Sequence, residues 1–65
     1  MKIQIRTNNK NTYEYDNVET YSYDRDFVRI HYIGGIATIK KFVDILPISA
    51  IESITIFEKE VTNNA

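Results

Sequence analysis

The chain has 65 residues, no cysteine, one histidine, eight basic and nine acidic side chains, and a formal net charge of −1. This length allows one small domain, and the lack of cysteine excludes a disulfide framework. A single histidine also excludes a zinc site built within one chain from the usual nitrogen and sulfur ligands. The balanced charge gives no general electrostatic attraction to nucleic acid or to an anionic membrane.

The apolar residues are of the kinds that favour β-strands. There are eleven isoleucines against one leucine, together with five tyrosines and three phenylalanines. Side chains branched at Cβ lose rotational freedom in helices and pack well on sheets, so the composition predicts an all-β fold. No apolar run approaches the roughly 20 residues that span a bilayer, and no signal-peptide core follows Met1. We therefore expect a cytoplasmic protein.

The first two predicted strands form a hairpin. Residues 1–6 and 12–16 alternate between polar and apolar side chains, which indicates half-buried strands. The polar segment 7–11 is the expected loop, because its asparagines tolerate left-handed backbone. This register joins aromatic to β-branched side chains on one face and opposite charges on the other. The expected apolar pairs are Ile5 with Tyr13 and Ile3 with Tyr15.

Residues 18–23 and 27–33 predict the third and fourth strands, joined by a polar turn in which Asp24 and Asp26 serve as turn caps. Gly34-Gly35 is typical of a two-residue hairpin turn that needs positive φ, so residues 36–43 predict a fifth strand. The cross-strand pairs expected in this register are Ile30 with Ile39, Tyr32 with Ala37, Arg29 with Lys40 and His31 with Thr38.

The segment 36–46 also fits one face of a helix that Pro47 would end. The helical face would carry Ile36, Ile39, Phe42 or Val43, and Leu46. The β-branched residues and the glycine pair favour the strand, but the helix stays open as an alternative.

Residues 47–51 are short and apolar, and they begin with a proline, which predicts a single 3₁₀ turn. Alternation resumes over residues 52–58 and predicts the last strand. Residues 1–61 thus form one β domain, and the polar residues 62–65 form a disordered tail. The residues expected to be buried are Ile3, Ile5, Tyr13, Val28, Ile30, Ile39, Ile48, Ile51, Ile54 and Ile56.

The order of short strands, a glycine hairpin and the segment Leu46-Pro47-Ile48-Ser49-Ala50-Ile51-Glu52-Ser53-Ile54 resembles small SH3-like barrels, in which one 3₁₀ turn precedes the final strand. This resemblance implies five or six short antiparallel strands in a barrel or roll. The richness in Asn, Lys, Ile and Tyr resembles that of short proteins from bacteriophages and mobile elements of AT-rich Gram-positive bacteria. It implies an accessory or inhibitor protein that acts on a host protein, and it transfers no site residues.

Neither the carboxylates nor the histidine forms a catalytic arrangement in the sequence. Asp24 and Asp26 flank Arg25 in a turn, so local charge pairing and capping account for them. His31 is expected on the surface beside Arg29, with no nucleophile to activate. We expect no enzymatic activity, no metal and no cofactor.

The later strands carry apolar residues in both phases of the alternation, and one small domain does not easily cover both faces of a sheet. We therefore expect a protein-binding module that docks on a host protein, associates with itself, most simply as a dimer, or does both. The expected interface residues are Tyr21, Tyr23, Phe27, Arg29, His31, Lys40, Phe42 and Phe57. The alternative is a small nucleic-acid-binding β-barrel that uses Arg29, Lys40 and Lys41 beside an exposed aromatic ring.

Overall fold

The computed structural model describes residues 1–58, which form six β-strands and one 3₁₀ turn. The strands are β1 (Lys2–Thr7), β2 (Thr12–Tyr15), β3 (Val18–Tyr23), β4 (Phe27–Gly34), β5 (Lys40–Pro47) and β6 (Ile51–Phe57), and the turn is Ile48–Ala50. Every strand pairing is antiparallel. The all-β prediction and the predicted 3₁₀ turn before the last strand are both confirmed. The predicted tail at residues 62–65 lies outside the described residues.

The strands form two three-stranded sheets. The first sheet has the order β2-β1-β6 and the second has the order β3-β4-β5. A backbone hydrogen bond ties them at the start of β3, where the Val18 N–H donates to the Met1 carbonyl at 3.0 Å. The Ile48 N–H donates to the Asp26 carbonyl at 2.9 Å and so continues the β4–β5 pairing beyond Phe27 and Pro47. The sheets stay open and do not close into a barrel.

The first hairpin has the predicted register, with Ile5 opposite Tyr13 and Ile3 opposite Tyr15. Its loop is closed by the Thr7 N–H, which donates to the Asn11 carbonyl at 2.9 Å. The left-handed position of this loop is Lys10, with a φ of 69°, and not one of its asparagines as the sequence predicted.

The register of the second hairpin differs from the prediction. The loop spans five residues, 35–39, so Gly34 pairs with Lys40 and Ile30 pairs with Asp44. The predicted pairs Ile30–Ile39, Tyr32–Ala37, Arg29–Lys40 and His31–Thr38 are therefore wrong. The pairing is displaced by five residues, and an odd displacement sends every β5 side chain to the opposite face. The helical alternative for residues 36–46 is also wrong, because residues 40–47 form β5.

Among residues 1–58, six side chains form the buried core: Ile3, Ile5, Tyr15, Val18, Val28 and Ile30. Tyr32, Leu46, Ile48 and Ile51 pack around them, half-buried. Burial is thus confirmed for four of the predicted core residues, while Ile48 and Ile51 lie at the margin.

Four predicted core residues are wrong, namely Tyr13, Ile39, Ile54 and Ile56, all of which are exposed. Ile39 lies in the loop. Ile54 and Ile56 have the expected phase, opposite Ile5 and Ile3, but β6 is an edge strand on the open side of the first sheet.

Candidate functional site

The solvent-facing side of the first sheet is polar and carries ion pairs. The Lys2 ammonium lies 3.7 Å from Glu14, and Glu52 accepts from Lys10 at 2.8 Å and lies 3.1 Å from Arg6. These contacts lower the pKa of Glu52, with the hydrogen bond from Lys10 as the largest cause. Solvated ion pairs of this kind mark an ordinary water-facing surface.

The outer face of the second sheet combines apolar and basic side chains. Val28 and Ile30 point into the core, so the alternate residues of β4 point outward. Across from them, Ile45 pairs with Arg29 and Val43 pairs with His31. We call this surface the outer face, and its residues are Phe27, Arg29, His31, Ile33, Lys41, Val43 and Ile45. Phe27, Val43 and Ile45 are 41%, 49% and 58% exposed, respectively.

Asp24 holds the basic end of the outer face in place. Its Oδ1 accepts from the backbone N–H groups of Asp26 and Phe27, both at 2.8 Å, which confirms the predicted capping role. Its Oδ2 accepts from Arg29 Nη1 at 3.0 Å. These bonds, the one from Phe27 first, lower the pKa of Asp24 to about 2. The charge partner of Asp24 is thus Arg29 across the turn, not its neighbour Arg25.

We expect Asp24→Asn to weaken the fold at neutral pH and to flatten its acid dependence. The folded-state pKa of about 2 lies below the ordinary value of 3.8, so the carboxylate stabilises the fold fully above about pH 4. That contribution is lost as the pH falls towards 2. Urea unfolding at pH 7, 4 and 2 measures this, with Asp26→Asn as the control in the same turn. Parallel losses in the parent and in Asp24→Asn between pH 4 and 2 would contradict the assignment.

A second apolar surface lies between the two sheets on their open side. Ile54 and Ile56 of β6 face Tyr21 and Tyr23 of β3 across a groove of about 180 Å³. The remaining lining residues are Ile3, Val28 and Ile30. Small-molecule sites usually measure about 300–1,000 Å³, so this inter-sheet groove suits one or two inserted side chains.

On the other side of the core, the carboxylate of Asp44 faces two tyrosines. Tyr32 donates its hydroxyl to Asp44 Oδ1 at 3.3 Å, and its ring stacks on Phe42 with the centroids 5.4 Å apart. Burial and the Asp44 carboxylate raise the pKa of Tyr15 and that of Tyr32. Both phenols therefore stay protonated at neutral pH beside this inward carboxylate.

The eight predicted interface residues do not form one surface. Phe27, Arg29 and His31 share the outer face, whereas Tyr21 and Tyr23 line the inter-sheet groove. The others are dispersed: Lys40 and Phe42 lie together beside the 35–39 loop, and Phe57 lies on the first sheet beneath Lys2. The prediction did not include four other exposed apolar side chains, Val43, Ile45, Ile54 and Ile56. Their alternation was visible in the sequence, but their exposure depends on the β4–β5 register and on which strands lie at edges.

The cations of the nucleic-acid alternative are also dispersed. Arg29 pairs with Ile45 and Lys41 pairs with Ile33, so the two lie four residues apart along the strands. Lys40 has the opposite phase to Lys41 and points to the other face. Arg29 is bound to Asp24, and Lys41 lies 3.9 Å from Glu19.

Within residues 1–58, no three His, Cys, Asp or Glu side chains gather in an arrangement that could hold a metal ion. The same part of the chain contains no helix with the length and apolar character needed to cross a membrane. Comparison of the chain with models of protein families, with curated proteins and with solved structures returned no match.

Proposed function

We propose that this chain is a non-enzymatic protein-binding module that docks through the outer face of its second sheet. The observation that carries this proposal is the row of three large, about half-exposed side chains, Phe27, Val43 and Ile45, on one continuous surface. Contiguous apolar patches on small soluble domains mark interaction sites more often than chance exposure does. The first sheet differs from the second, because its solvent-facing side carries ion pairs.

The charges around the patch describe the partner. Arg29 and His31 lie among the apolar side chains, and Lys41 lies at one end, 79% exposed along its side chain. The nearby carboxylates of Asp24 and Glu19 already face Arg29 and Lys41. A protein surface with an apolar centre and a rim of mixed charge complements this arrangement. The resemblance to phage and mobile-element proteins makes a host protein the expected partner, with this chain as an accessory or inhibitor.

We expect the double substitution Phe27→Ser and Ile45→Ser to weaken partner binding by about tenfold or more, because buried apolar anchors carry most of an interface's energy. The 65-residue chain is immobilised, a host lysate is passed over it, and the retained protein is purified for titration. Tyr13→Ser is the matched control, since Tyr13 is similarly exposed but lies on β2 of the first sheet. Thermal melts establish that all variants remain folded.

A retained protein that binds the double variant and the parent equally would contradict the proposal. The nucleic-acid alternative makes a different claim. An oligonucleotide would bind with an affinity that falls steeply with salt, and Arg29→Glu would abolish binding. That result would replace the protein-binding proposal.

A further inference from the structure

In the described part of the chain, the two open sheets end in four edge strands, and two of these carry features that discourage pairing with another strand. β2 is only four residues long. β5 begins with Lys40-Lys41, ends with Pro47 and points Asp44 inward. Short length, lysine, proline and inward charges are the devices by which natural sheets protect their edges.

The remaining edges, β3 and β6, flank the inter-sheet groove. β3 has an irregular register between Val18 and Thr20, which interrupts a regular ladder. In β6 the irregularity lies at its start, opposite Arg6 and Thr7. The stretch from Ser53 to Phe57 contains no charge and no proline. Among the edges of residues 1–58, this stretch is the longest regular one without such protection.

The outward edge of β6 belongs to the same residues that line the groove. Thr7 bonds to Asn11 in the first hairpin, and the next residue, Asn8, donates its N–H to the Ala50 carbonyl at 2.9 Å, on the β6 side. The backbone N–H and C=O groups of successive residues point to opposite edges of a strand. Those of the odd-numbered residues of β1 therefore point to β2, and those of the even-numbered residues point to β6. The Gln4–Thr55 pair is then hydrogen-bonded, and the N–H and C=O groups of Ile54 and Ile56 point away from β1.

The sequence of this edge is self-complementary. When two copies of β6 pair antiparallel about a two-fold axis at Thr55, Ile54 faces the partner's Ile56 on the groove side. Aliphatic pairs on one face and a threonine pair on the other both stabilise antiparallel strands. The register also brings Glu52 opposite the partner's Glu58, but Glu52 is already held by Lys10 and Arg6.

We propose that β6 pairs with β6 of a second copy of this chain, so that one two-fold dimer extends the first sheet to six strands and covers both inter-sheet grooves. A symmetric contact of this type closes on itself and does not propagate into a fibre. Tyr21 and Tyr23 then line the dimer interface. This proposal uses a surface distinct from the outer face and is independent of the proposed function.

Cross-linking tests the axis of the dimer. The natural chain has no cysteine, so one introduced thiol reports on a single contact. Thr55 and the partner's Thr55 form a non-hydrogen-bonded pair, with Cα atoms about 4.5 Å apart, inside the range that a disulfide spans. Thr55→Cys should form a disulfide-linked dimer on mild oxidation of micromolar protein. Thr12→Cys, on the solvent-facing side of β2, should run as a monomer on non-reducing denaturing gels.

Sedimentation equilibrium tests whether the dimer forms through the groove side of β6 or through the outer face. The parent should sediment at twice the monomer mass, and Ile54→Lys should sediment as a monomer, because a charge in the groove opposes burial of this edge. Val43→Lys is the matched control: the lost side chain is similarly exposed, at 49% against 41% for Ile54, but it lies on the outer face. The control should stay dimeric. A monomeric parent, or a dimer lost in Val43→Lys and kept in Ile54→Lys, would overturn the proposal.

Discussion

Replacing Ile30 with alanine should unfold a large fraction of the molecules at room temperature. Ile30 lies on the central strand of the second sheet and has no exposed surface. Removing such a side chain costs about 2–5 kcal/mol, through the lost burial and the cavity left behind. At about 0.05–0.15 kcal/mol per residue, a domain of this length has a total free energy of unfolding of only about 3–10 kcal/mol. The single substitution therefore removes much of the stability.

Ile39→Ala provides the matched control, because it makes the same chemical change in a side chain that is 79% exposed. This substitution should change the free energy of unfolding by no more than about 0.5 kcal/mol, as for other surface substitutions. Urea unfolding followed by circular dichroism measures both variants. The two-residue turn predicted from the sequence would make Ile30 and Ile39 neighbours in the core. Comparable losses of stability in the two variants would support that register and contradict the pairing of Ile30 with Asp44.

Replacing Gly35 with alanine should destabilise the protein by about 1–3 kcal/mol, the usual cost of a strained backbone position. Gly35 has a φ of +124°, which residues other than glycine rarely adopt. An added Cβ would lie 2.0 Å from the Thr38 carbonyl oxygen, so the loop backbone itself would have to move. The 35–39 loop would open, and with it the end of the β4–β5 pairing.

Gly34→Ala tests whether this effect belongs to the conformation of one glycine. A Cβ at Gly34 would lie 3.2 Å from Cε2 of the Phe42 ring, which a small ring movement relieves. Alanine also lowers the conformational entropy of the unfolded chain, which offsets part of that cost. The net change in the free energy of unfolding should therefore be small. Thermal melts of both variants make the comparison. Equal shifts in melting temperature would show that Gly35 is not the strained position of this loop.

The first hairpin illustrates what local sequence determines. Alternation over residues 1–6 and 12–16, joined by a short polar loop, permits one register that buries a single face. The pairs Ile5–Tyr13 and Ile3–Tyr15 follow from that constraint alone.

The second hairpin was decided by packing across the core. The predicted two-residue turn would have placed Lys41 opposite Val28, on the buried side. The observed register instead turns Phe42 and Leu46 inward, against Tyr32 and the core. It also turns Asp44 inward, which is tolerable because Tyr32 donates a hydrogen bond to its carboxylate. That bond joins residues twelve apart in the sequence, and no local pattern indicates it.

The all-β class of this protein follows from local sequence, because β-branched and aromatic residues in period two favour strands whatever their neighbours. It also indicated that the later strands are apolar on both sides. The positions of those surplus side chains depend on how the strands pair. Val43 and Ile45 lie on the outer face because of the β4–β5 register, and Ile54 and Ile56 line the inter-sheet groove because β6 ends its sheet. Exposure depends on sheet order and register, which arise from contacts between residues distant in the chain.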